Sequence, residues 1–292
     1  MVHTAALIAP NGNVGSATLR HLLLAHKEGK LNLIVLHRPG GPPKELPSDS
    51  GVEVREINLD GSLEKIQEAV HGVNVAISAL PMTTIHLQIN LVRALSRTPG
   101  FVTLIPARFS IPLTDDDYPY LPIMKPVLDT EKLATELGVG ITHVWTGAFI
   151  MSFKFRWLES SLEENKVVAN ANQLKNWTPI TTMDHLGAVL TDLLTQDPTN
   201  IVGKSFSVVT FRPSGQDLLN VFTRVNENTP ATLVAHTPED LKRLLQDTQG
   251  IGAFMGVYMR HWDRGDLEFP RTVPTSNEIS LEAELRKIHS LH

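Results

Sequence analysis

Short apolar runs, each closed by a turn and followed by an amphipathic stretch, recur along the first half of the chain. The first, Ala5-Ala6-Leu7-Ile8, ends in Ala9-Pro10-Asn11-Gly12-Asn13-Val14-Gly15 and leads straight into the apolar-periodic residues 16–23. That pattern reads as buried strand, tight turn and helix. Residues 31–36, 52–57, 73–78, 101–106 and 140–145 repeat the strand signal, and residues 62–70, 87–96 and 130–137 carry helical periodicity, with Ser62 as an N-cap. Strands apolar on both faces that alternate with helices predict a parallel sheet covered on both sides. After Phe149 the alternation loosens into helices at 183–194, 215–225 and 238–248 and short strands such as 205–209. The expected architecture is α/β, a doubly wound parallel sheet over residues 1–150. A smaller α+β region over 151–292 would cap its open end and bind substrate.

A strand feeding a helix through a tight turn aims the helix's unpaired N–H groups and its positive dipole end at one spot, where a dinucleotide pyrophosphate can sit. The turn has the spacing A-x-x-G-x-x-G, with Ala9 where a first glycine is expected. Gly12 is read as a backbone conformation open only to glycine and Gly15 as a close approach of helix to sheet; a plain turn would explain both. The second strand ends in His37-Arg38-Pro39-Gly40-Gly41, at strand–helix–strand distance from the first. Arg38 there offers a planar fork to a 2′-phosphate, with Lys44 as a second cation and His37 alongside. This predicts a Rossmann-type site for NADP(H) rather than NAD(H). The plainer alternative is a solvated loop arginine.

Composition narrows the function. With 292 residues, 42% apolar, 20% charged and a net charge of −5, the chain has no basic excess to hold nucleic acid, and Asp115-Asp116-Asp117 reads as a solvated turn. Zero cysteines exclude disulfides and thiolate catalysis, and none of the twelve histidines has metal-ligand or triad spacing, so no metal is expected. No apolar stretch reaches membrane-spanning length, and the expected location is the cytoplasm.

The order of motifs resembles the NmrA-like and isoflavone-reductase-like atypical short-chain dehydrogenases over nearly the whole chain. Their G-A-T-G-x-x-G turn corresponds to Ala9 through Gly15, their arginine-ended strand to Leu36-His37-Arg38, and their S-L-x-x-A-x-x-G-x-D-V segment to Ser62 through Val75. I-P-S-x-F-G is matched by Ile105 through Ser110, T-x-V-x-x-x-x-F by Thr142 through Phe149, and the D-I-G and G-K pair by Asp184 through Gly187 and by Gly203-Lys204. The resemblance implies an NADPH-dependent monomer or weak homodimer. Its pyrophosphate would meet Pro10, Asn11, Gly12, Asn13 and Val14. Ser78, Ala79, Leu80, Pro106 and Phe109 would border the nicotinamide end, and Asn58 stands where the family has an aspartate near the adenine.

For chemistry, the family's lysine over the nicotinamide falls at Lys125. Pro126 follows, so Lys125 is expected at the start of a helix whose positive end disfavours the ammonium and lowers its pKa; the alternative is an exposed surface lysine. Tyr120 is the second catalytic candidate, although it stands five residues before Lys125 and no Y-x-x-x-K dyad exists. Phe149, Phe153, Tyr258 and Trp262 are candidate walls of an apolar substrate cavity, or else core. Residues 255–259 are the candidate adaptable lid. The leading expectation is hydride transfer to a carbonyl, imine or conjugated double bond of a hydrophobic, aromatic or alkaloid-like secondary metabolite. A redox-assisted cyclisation or rearrangement, and a non-catalytic NAD(P)-sensing regulator, are the alternatives.

Overall fold

Six parallel strands form one sheet in the order β3-β2-β1-β4-β5-β6. They are β1 (Thr4–Ile8), β2 (Asn32–His37), β3 (Glu53–Glu56), β4 (Val75–Ser78), β5 (Thr103–Ile105) and β6 (Gly140–Ile141). The order reverses between β1 and β4, which is the topological switch point where ligands bind doubly wound sheets. The computed structural model describes residues 2–248, 250–270, 273 and 279–290. The chain is divided between two units, one drawn from Met1–Arg108, Lys125–Val144 and Met183–Phe206, the other from Phe109–Met124, Trp145–Thr182 and Ser207–His292. The expected boundary at residue 150 is corrected accordingly.

The division follows from what covers the sheet of the first unit. Ala6, Ile8, Ile34, Leu36, Ala76 and Leu104 alternate along their strands onto one face, where they pack with α2 (Leu63–Ala69), α3 (Gln88–Leu95) and α4 (Lys125–Glu136). On α1 (Asn13–Lys27) lies α5 (Met183–Thr195), the helix of the Asp184-His185-Leu186-Gly187 motif. A Cβ on Gly187 would meet the carbonyl carbon of Ala17 at 2.8 Å and His21 Cδ2 at 2.9 Å, while Asp184 pairs with His21 at 3.0 Å. The motif is thus a helix-packing device, and it draws residues 183–206 back into the first unit.

One element expectation changes and another is extended. The sixth strand breaks at Thr142, whose buried hydroxyl donates to the Ile201 carbonyl (2.9 Å) and pairs with Thr103 Oγ1 (2.9 Å). Helix α4 begins at Lys125, as expected from Pro126, and so extends the periodic stretch 130–137 toward its N-terminus, because proline in a first turn gives up an N–H that has no helical acceptor anyway.

The second unit holds α6 (Gly215–Val225), α7 (Pro238–Gln246), α8 (Gly252–Arg264) and α9 (Leu281–His289). Two parallel strand pairs accompany them, Ala148–Phe149 with Ile180–Thr181 and Lys166–Ala169 with Thr232–Ala235. Capping boxes Ser214/Asp217 and Thr237/Asp240 start α6 and α7. Its core includes Phe153, Phe222, Tyr258 and Trp262, with the Phe153 and Phe222 rings edge to face at 5.7 Å. The stretch expected as an adaptable lid is the buried middle of α8.

Candidate cofactor site

At the end of β1 the chain turns through Ala9, whose φ is +64° and whose N–H donates to the Leu36 carbonyl at 3.1 Å. Gly12 has φ −83°, so the expectation that it supplies a glycine-only conformation is corrected: the left-handed residue is Ala9. Gly15 does have to be glycine, because a Cβ there would run into the Ala9 carbonyl oxygen and come within 2.9 Å of the Pro10 carbonyl carbon. Helix α1 has no side-chain cap and no acidic residue in its first turn. Its leading N–H groups, at Asn13 and Val14, are therefore left for an anion. Pro10 beneath the turn is buried, whereas Asn11, Gly12 and Asn13 are exposed.

The neighbouring strand end closes on this turn. Ser78 stands opposite Ile8 in the β1–β4 register, Ala79 N–H donates to the Ile8 carbonyl at 3.0 Å, and the Ala79 carbonyl lies 4.0 Å from where a Gly12 Cβ would be. The Ser78 hydroxyl is fully buried with no hydrogen-bond partner, and Leu80 is half-buried. Pro106 is buried at the end of β5, and the next residue, Ala107, donates its N–H to Gln88 Oε1 at 2.8 Å. Gln88, fully buried at the start of α3, was not singled out in the sequence, where a polar residue at a helix start looks like any exposed one. Phe109 is half-buried and belongs to the second unit. After β3, Asn58 Oδ1 accepts from Asp60 N–H (3.1 Å), which engages it in a local turn.

On the other side lies the loop after β2. The His37 ring Nδ1 is 2.8 Å from the Arg38 carbonyl. Arg38 and Lys44 are exposed, and neither forms an ion pair among the described residues. The exposed guanidinium at the end of β2, the free helix start and the end of β4 make a donor set that fits a dinucleotide carrying a 2′-phosphate.

Lys125 is the first residue of α4, with a side chain 73% exposed and an ammonium 2.5 Å from Asp129 one turn along. A carboxylate thus faces the charge that the helix start was expected to disfavour. Tyr120 belongs to the second unit, where the Arg260 guanidinium lies over its ring at 5.0 Å. Of the substrate candidates, only Phe149 is half-buried. Phe153, Tyr258 and Trp262 are corrected to core: Tyr258 OH donates to the Pro179 carbonyl (2.9 Å) and Trp262 Nε1 to the Asn176 carbonyl (2.8 Å), so their polar tips are already satisfied.

Two charge clusters escaped the sequence. In the first unit Glu131 receives Arg108 Nη1 at 2.8 and 2.6 Å and lies 3.1 Å from His143 Nε2. Burial pushes its carboxyl up, but His143 and Arg108 outweigh that and hold it below the usual range. In the second unit Asp117, expected in a solvated turn, is fully buried. It accepts from Thr114 N–H (2.7 Å) and Thr114 Oγ1 (2.9 Å), pairs with His261 Nε2 (3.0 Å) and with Arg260, and His261 Nδ1 reaches Asp266 at 2.7 Å. Burial raises the Asp117 carboxyl, yet the hydrogen bonds from His261 and Thr114 hold it far below the usual carboxylate range. Hydrogen bonding to Asp117 raises His261.

With the geometry in place, comparison with solved structures decides the architecture. Leucoanthocyanidin reductase from Vitis vinifera, in a binary complex with NADPH, superposes with a TM-score of 0.76 at 14% identity, over 98% of this chain and 99% of that one. The chain has the fold of isoflavone reductase. That enzyme superposes with a TM-score of 0.72 at 14% identity, over 98% and 99% of the two chains. The pinoresinol-lariciresinol and phenylcoumaran benzylic ether reductases give 0.76 at 15%, over 99% of both. No protein-family model and no curated protein matches the chain. The isoflavone-reductase fold implied by the ordered motifs is therefore the one observed.

Proposed function

We propose that this chain is an NADPH-dependent oxidoreductase that transfers a hydride to a carbonyl, imine or conjugated double bond of a small hydrophobic, aromatic secondary metabolite. The observation that carries this reading is the pairing of an uncapped α1 start with an exposed Arg38 that has no carboxylate partner among the described residues, on either side of the β1 turn. The similarity in fold to reductases, one of them complexed with NADPH, supports it. NADPH, when bound, supplies the hydride. The N–H groups of Asn13 and Val14 would hold the pyrophosphate, Arg38 and Lys44 the 2′-phosphate, and Ser78, Ala79, Leu80 and Pro106 would border the nicotinamide end. Lys125, whose ammonium contacts Asp129 one turn along α4, would donate the proton. The protein would work in the cytoplasm as a monomer or weak homodimer. No described helix is long and apolar enough to cross a membrane.

The test is a pair of variants read by thermal shift and cofactor titration. NADPH should stabilise the wild type more than NADH. Arg38→Ala should lose about 2 kcal/mol of NADPH binding, roughly thirtyfold, with NADH unaffected, because one charge-assisted contact disappears. Equal binding of both cofactors by the wild type overturns the 2′-phosphate assignment. Once a substrate is found by comparing metabolites of the source organism with and without the gene, Lys125→Ala should slow turnover about a hundredfold with cofactor binding intact. Unchanged turnover would remove Lys125 from the chemistry.

A further inference from the structure

Asn11 stands in the middle of the first turn, and its side chain points away from the helix start, into the loop that follows β2. Its Nδ2 donates to two carbonyls of that loop, Gly41 at 3.1 Å and Pro42 at 2.9 Å, and its Oδ1 accepts the Lys44 N–H at 2.9 Å. Two acceptors and one donor, on three residues of a single loop, fix the orientation of the amide and suit asparagine specifically. An aspartate at residue 11 could serve only the Lys44 N–H, and a threonine has a single O–H to donate. The residues so gripped are those that carry the cations. Lys44 is itself one of them. Gly41 forms the floor under the other: its N–H donates to the Arg38 carbonyl (3.0 Å), and a Cβ on Gly41 would meet Arg38 Cγ at 3.0 Å and Nε at 3.2 Å. The loop runs through Arg38-Pro39-Gly40-Gly41-Pro42-Pro43-Lys44, and Gly40 has φ +67°. Just past the loop, Glu45 forms an exposed pair with Arg20 of α1 at 3.3 Å.

We infer that Asn11 is a positioning residue for cofactor choice: it clamps the loop after β2 against the phosphate turn and so sets Arg38 and Lys44 where a 2′-phosphate arrives. The inference rests on the NADPH reading above and deepens it. The pyrophosphate half of the site is formed by backbone N–H groups that do not pass through the Asn11 side chain. Releasing the clamp therefore acts on the 2′-phosphate half. A cofactor that needs an ordered loop loses affinity in proportion to the fraction of protein that still has one, whereas a cofactor without the phosphate does not.

The experiment uses the full chain and two independent readouts. Amide hydrogen exchange at Lys44 without cofactor should rise at least about tenfold in Asn11→Ala, since its acceptor is gone. Titration should show NADPH affinity falling about tenfold with NADH affinity within about twofold of wild type. Gly41→Ala, which crowds Arg38 but leaves the Asn11 bonds in place, should weaken NADPH selectively while Lys44 exchange stays slow. Unchanged exchange at Lys44 in Asn11→Ala, or an equal loss of both cofactors, overturns the clamp. A wild type that protects Lys44 yet binds NADH as well as NADPH overturns the cofactor reading instead.

Discussion

Ala9 shows how a single methyl can be read in two ways. In the sequence its place at the first glycine position suggests an altered phosphate turn. In the structure the turn is made, with alanine held at φ +64° by the bond from its N–H to Leu36. A left-handed L-residue costs roughly 1–2 kcal/mol, and glycine would return part of that gain as extra freedom in the unfolded chain. Ala9→Gly is therefore expected to stabilise the first unit by about 0.5–1 kcal/mol, read from the urea midpoint, with cofactor affinity unchanged. A loss of stability would show that the methyl makes packing contacts worth more than the strain. Gly15 was legible from its spacing because close approach leaves glycine no substitute. Asn11 was legible only as part of the turn, since its partners lie some thirty residues ahead in a loop without periodicity.

At the scale of elements, strands and helices were written in the chain wherever burial imposed a period. Helices α5 and α6 fall where their apolar spacing predicts them, and β1, β2 and β4 are almost wholly buried runs. The charge clusters were illegible, because Asp117 and His261 are 144 positions apart and become a pair only when the second unit folds. Their bond joins the segment before residue 125 to α8 and makes that join depend on pH. His261 is raised, so its contribution is complete below about pH 6.5 and fades as pH climbs through the folded value. Asp117 is lowered, so its contribution is present above about pH 4 and fades as pH falls below that. The cluster is expected to stabilise most between these limits. Asp117→Ala should cost about 3 kcal/mol at pH 6 by taking the carboxylate from Arg260 and leaving His261 with Asp266 alone. His261→Gln should flatten the loss of stability above neutral pH in denaturant titrations; an unchanged pH profile would count against the pair.

For the whole molecule, the sequence yields the class of fold and the order of its motifs but places the boundary wrongly. Periodicity reports what each segment buries, not against which other segment. The Asp184–Gly187 motif was matched by resemblance alone, whereas its physical content is the contact of Gly187 with Ala17 on α1. A fragment ending at residue 150 keeps all six strands yet lacks α5. It should expose the α1 surface that α5 covers, bind a hydrophobic dye and unfold without cooperativity, while a fragment-plus-helix complementation with residues 183–206 should restore a sharp transition. A cooperative fragment would contradict the division described above.

The return of the chain to α1 also has a consequence in time. The sheet-forming residues are complete once Ile141 has been made, but the helix that covers α1 in the same unit, α5, is complete only at Thr195. At a synthesis rate of roughly 5–20 residues per second, α1 stays uncovered for several seconds while the intervening part of the other unit emerges. The nascent protein is therefore in greatest need of chaperone protection midway through its synthesis, and rare codons placed between 150 and 183 would lengthen that exposure.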